Sequence, residues 1–159
     1  MVEKKLKDIG LSQSEIAAFS HDNAIALSVQ VSVVTDLESL GAIPGRRAVA
    51  VALGSVLTEY QARFLAMSIK MLSQWGQRKS PITAIAATGP LIARDQNNAV
   101  IMPAPVDYVS WTPRIAGFAT NSALLGLKNR VLWIPAKMTL LAQQQLETNG
   151  WTIREKAQP

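Results

Sequence analysis

Three loops carry residue types that could hold an anion. Gly54, Ser55 and Thr58 follow one apolar run, Thr88 and Gly89 follow a second, and Lys137 and Thr139 follow a third. Glycine lets the backbone approach a ligand, hydroxyls donate, and Lys137 adds a mobile cation. Helices opening at Thr58 and Thr139 would also turn free N–H groups and the positive end of their dipoles toward the same side. The matching ligand is a small phosphate or carboxylate. The plainer reading, that these glycines and threonines turn and cap the chain, outweighs it. Neither G-x-G-x-x-G after a strand nor G-x-x-x-x-G-K-[ST] occurs, so the usual nucleotide cradles are missing.

A second constellation is Pro103-Ala104-Pro105-Val106-Asp107-Tyr108-Val109-Ser110-Trp111. Rigid prolines, an acid and two aromatics make a candidate recognition loop built on Asp107, Tyr108 and Trp111, because aromatics on a fixed backbone are good anchors. The plainer alternative has Tyr108 and Trp111 roofing the core while Asp107 caps a turn, and it carries more weight.

Catalytic groups are sparse. The one histidine, His21, sits beside Asp22 at a helix boundary, a place for a cap or a solvated side chain. The expected strand ends carry no carboxylate, and the acids of nearby loops, Asp95 and Asp107, are not spaced to act as an acid–base pair. No His/Asp/Glu cluster has metal-ligand spacing. The absence of cysteine removes thiolate zinc sites, disulfides and thiol nucleophiles. No metal and no cofactor are expected.

The elements that must position these residues are written in periodicity and caps. Residues 1–11 read as a flexible charged lead-in and 156–159 as a flexible tail, around a single α/β domain over 12–155. Ser12-Gln13-Ser14-Glu15 is a capping box that opens a short helix. From Asp22 to Leu40 the apolar positions alternate as in a strand but also recur at three and four. With Gly41 as a stop, one buried helix is the better reading. Arg46 to Leu53 reads as a first strand. Thr58 with Gln61 opens a helix whose apolar positions run through Tyr60, Phe64, Met67 and Trp75 to a stop at Gly76. Ile82 to Ala87 is the second strand. Leu91–Arg94 and Ala99–Met102 flank the turn Asp95–Asn98 as a β-hairpin. Thr112-Pro113 marks a further helix start. Arg130–Ile134 is a strand, Thr139–Thr148 a helix, and Trp151–Arg154 a short edge strand. Arg47–Trp75 and Arg130–Gly150 thus look like one strand–loop–helix unit used twice.

The expected fold is therefore α/β: a small parallel-dominated sheet of about four strands, helices on both faces, an N-terminal helical segment and an inserted β-hairpin. In such a sheet, ligands sit beyond the carboxyl ends of the strands.

Composition bounds the function classes. The 159 residues are 48% hydrophobic and 17% charged, a balance that folds and leaves apolar surface for a partner or an oligomer. The net charge of +5 is dispersed in pairs at element boundaries, such as Arg46 with Arg47 and Lys128 with Arg130, not gathered for nucleic acid. No run approaches the roughly 18–20 apolar residues of a membrane span. The N-terminus lacks a signal-peptide core, so the expectation is cytoplasmic, or a mature fragment of an exported protein. The preferred function is a non-catalytic binding or assembly module with a protein partner or second copy. Its rivals are an enzyme using Asp107, Lys137 and loop hydroxyls on a small anionic substrate, and a nucleic-acid-binding domain.

Overall fold

Side-chain caps open two of the five helices in the N-terminal part of the chain, at Ser12 and Thr58. The computed structural model describes residues 1–22, 24–56, 58–87, 90–121, 127–135 and 137–155. It begins with α1 (Val2–Ile9), α2 (Gln13–His21), α3 (Leu27–Ser39), α4 (Arg46–Leu53) and α5 (Glu59–Arg78). The expected lead-in is thus largely helical, and α1 buries Leu6 and Ile9. At Ser12 the capping box closes both ways: the Glu15 amide donates to Ser12 Oγ at 3.3 Å, and the Ser12 amide donates to Glu15 Oε2 at 2.8 Å. The Ser12 amide, aided by Arg47, holds the Glu15 carboxyl below its usual range. The ambiguous run is helical and buries Val33, Val34 and Leu37. It starts at Leu27, not Asp22, because the Asp22 carboxylate accepts the Ala24 amide at 2.8 Å in the turn before it.

Arg46–Leu53, expected as the first strand, is the helix α4. Its alternating Ala and Val fit either period, but Val49, Ala50 and Leu53 are the residues buried, a helical spacing. Alanine favours a helix and is depleted in strands, which tips the balance. With a helix there, the duplicated unit disappears: only Arg130–Gly150 begins with a strand. The next helix, α5, opens as expected, with the Gln61 amide donating to Thr58 Oγ1 at 3.2 Å. It runs through Gly76 and ends at Arg78.

The remaining elements are β1 (Ile82–Ala87), β2 (Leu91–Asp95), β3 (Val100–Pro103), β4 (Tyr108–Val109), α6 (Pro113–Ala119), β5 (Arg130–Trp133), β6 (Lys137–Met138), α7 (Leu140–Thr148) and β7 (Trp151–Arg154). The fold is mixed α/β, with a five-stranded sheet ordered β1-β2-β3-β5-β7 and a two-stranded sheet β4-β6. Only part of the main sheet is parallel. β1 and β3 flank β2 antiparallel, whereas β3, β5 and β7 run the same way. The segment expected as an inserted hairpin, β2 with β3, lies within the sheet rather than beside it.

Successive strand residues face opposite layers. Ile85, Ala93, Ile101 and Val131 join Ile69 and Leu72 of α5 in one core. Met102, Leu132 and Trp151 join Ala142 and Leu146 of α7 in the other. Each fully buried Leu or Ile contributes about 1.5–3 kcal/mol. Two polar clamps hold the layers in register. Asp95, at the β2–β3 turn, accepts Trp75 Nε1 at 3.2 Å and the amides of Asn97 and Ala99 at 2.9 Å each. Arg130 is buried and not solvated as expected: it donates to the carbonyls of Leu127 and Asn149 and stacks 5.4 Å from the Trp151 ring centre.

Candidate binding rim

Three parallel strands end side by side, at Pro103, Trp133 and Arg154. Their exits therefore leave the sheet at one edge, and short hydrogen bonds lace them together. The Ala104 amide donates to the Trp133 carbonyl at 2.8 Å, and the Ile134 amide to the Arg154 carbonyl at 3.0 Å. Beyond them the two loops pair as β4 and β6, with Tyr108 beside Lys137 and Val109 beside Met138. The Thr139 amide extends this ladder to the Val109 carbonyl at 2.9 Å, and the Met138 amide donates to Glu155 Oε1 at 3.3 Å.

The ribbon has an inner and an outer side, as period-two geometry requires. Val109, Ile134 and Met138 are buried in the core beneath it. On the outer side Tyr108 is 62% exposed; just past the ribbon, Leu140 and Leu141, which open α7, are 70% and 52% exposed. Asp107 and Lys137 are also exposed, and Trp111 is half-buried against the core. Two capped helix starts flank the ribbon. Thr112 Oγ1 accepts the Ile115 amide at 3.3 Å, and Thr139 Oγ1 accepts the Ala142 amide at 3.1 Å.

Five of the residues singled out in the sequence, Asp107, Tyr108, Trp111, Lys137 and Thr139, thus belong to one rim through the pairing of β4 with β6. The others have different places. Gly54, Ser55 and Thr58 do not follow a strand but join α4 to α5. A Cβ on Gly54 would lie 3.3 Å from the backbone of Phe19, so this glycine seats α4 against α2. Ser55 Oγ donates to the Val51 carbonyl at 3.1 Å, and Thr58 caps α5. Thr88 and Gly89 lie outside the described residues. His21 is exposed, with Nδ1 2.8 Å from the Ala17 carbonyl at the end of α2.

Sequence reasoning missed Leu140 and Leu141, although adjacent leucines right after a cap residue place at least one on the outer side of a helix. Of the apolar positions it placed at helical spacing along α5, Tyr60 and Met67 are exposed. Chemically the rim offers apolar and aromatic anchors, with Lys137 and Arg154 as exposed cations and Asp107 and Glu155 as exposed acids. Among the described residues no group of three or more His, Asp or Glu is placed to hold a metal ion. No helix there is long and apolar enough to cross a membrane. No protein-family model, curated protein or solved structure matches the chain.

Proposed function

We propose that the chain is a non-catalytic binding or assembly module whose docking face is the rim beyond β3, β5 and β7. The observation that carries this reading is the exposure of Tyr108 on the β4–β6 ribbon together with that of Leu140 and Leu141 at the start of α7, the helix that follows β6. Large apolar groups gathered at one edge are costly to leave in water and mark interaction surfaces. An aromatic and two leucines form the centre of such an interface, and Asp107 and Lys137 suit its polar border. Lys137, next to the Thr139 cap, gives a partner's carboxylate a receptor.

The test is the double variant Leu140→Asp/Leu141→Asp, compared with wild type for the proteins recovered with the tagged chain, second copies included. Burial of two leucines is worth about 1.5–3 kcal/mol each, so recovery should fall by about tenfold or more while thermal stability is kept. Equal recovery from both chains would overturn the reading.

A further inference from the structure

The rim is not the only place where apolar side chains stand uncovered. Leu27, Tyr60 and Met67 are 70%, 75% and 52% exposed, and they belong to α3 and α5. These two helices run in the same sense. Ser39 and Ser73 share a 2.6 Å hydroxyl contact toward their C-terminal ends, while Ser28, Val29 and Ser32 face Arg63, Ala66, Met67 and Lys70 farther back. Between the latter sets lies an open groove of about 340 Å³. Small residues make it: Ser28 and Ser32, one turn apart on α3, leave the space that larger side chains would fill.

We propose that this groove docks an acidic amphipathic helix of a protein partner. Its lining combines apolar groups with two cations from the same helix, Arg63 and Lys70. Seven positions separate them, about 10.5 Å along the axis, so two carboxylates spaced by seven on a bound helix match both. Tyr60 and Phe64, with ring centres 6.5 Å apart, extend the apolar stripe toward the N-terminal end of α5. Ser28 and Val29 bring the first turn of α3 to the groove, and no side chain caps that helix at Ala26. Each cation has an acid of its own chain nearby. Glu59 pairs with Arg63 on the open surface, where a competing carboxylate exchanges at little cost. Asp36 is part-buried near Lys70 and accepts Ser32 Oγ at 3.4 Å. A concave, two-helix cleft suits a row of helix side chains.

The probe is a fluorescein-labelled designed helix with leucines on one face and glutamates flanking them, titrated against the full chain by anisotropy. Its control is the same peptide with lysines in place of the glutamates. The glutamate peptide should bind about tenfold tighter or more, and high salt should erase the difference. Arg63→Glu/Lys70→Glu should reverse the preference, Met67→Asp should abolish binding, and Leu140→Asp/Leu141→Asp at the rim should change nothing. Should the charge-reversed variant fail to fold, the salt dependence and the Met67→Asp result decide alone. No binding, equal affinity for the two peptides, tighter binding to phosphatidylserine vesicles, or self-association that Met67→Asp removes would each overturn the proposal.

Discussion

Replacing Gly45 by alanine tests the packing of α4 against β1, on which the helical reading of Arg46–Leu53 rests. Gly45 has φ 89°, and a Cβ there would lie 1.6 Å from the carbonyl oxygen of Ile85. The Ile85 amide also donates to the Pro44 carbonyl at 3.0 Å, so the loop closes the outer edge of β1. A left-handed backbone costs an L-residue about 1–2 kcal/mol. Relieving the overlap needs a backbone shift of more than an ångström, which breaks that hydrogen bond at about 1 kcal/mol and loosens the helix from the strand. The expected total is about 3 kcal/mol or more. Gly41→Ala is the control, because Gly41 has φ 78° and nothing within 4 Å of a new Cβ. It should show only the backbone cost, leaving a difference of about 2 kcal/mol, or about 4–8 °C in melting temperature for a domain of this size. Urea unfolding followed by far-ultraviolet dichroism and tryptophan fluorescence measures both. Equal destabilisation of the two variants would refute the close approach of Gly45 to Ile85.

Asp95→Ala removes the acceptor shared by Trp75 Nε1 and two backbone amides, and should cost about 3 kcal/mol or more in urea unfolding. Burial raises the Asp36 carboxyl above its ordinary pKa, although Lys70 and Ser32 oppose the shift. The folded state therefore holds that proton more tightly than the unfolded chain. Its contribution is full below the ordinary aspartate pKa and is lost as pH rises through the raised value. Melting curves across that window should flatten in Asp36→Asn; a wild type that gains stability there relative to the variant would contradict the sign.

The helix starts were legible because capping is local. Ser12 with Glu15, Thr58 with Gln61, Thr112 before Pro113 and Thr139 all act within a few residues, and each is seen to cap its helix. Arg46–Leu53 was not legible from its alternation, since alanine and valine taking turns satisfy two periods and the fold chooses between them. Strand direction was only partly readable. The stretch between Ala87 and Leu91 is far too short for a crossover, so β1 and β2 had to be antiparallel, a signal that the emphasis on parallel units passed over. For the rim, the residue types pointed to Asp107, Tyr108, Trp111, Lys137 and Thr139. Their juxtaposition depends on β3 pairing with β5 across residues distant in sequence, which no local pattern encodes.

The docking face is tested most directly by placing a photo-activatable benzoylphenylalanine at position 108 in the living cell, with the same substitution at exposed Gln77 of α5 as the comparison. Illumination should give adducts of defined mass from position 108, absent when Leu140→Asp/Leu141→Asp is added, and few from position 77. Equal yields from the two positions, or adducts at 108 that survive the loss of both leucines, would contradict the account.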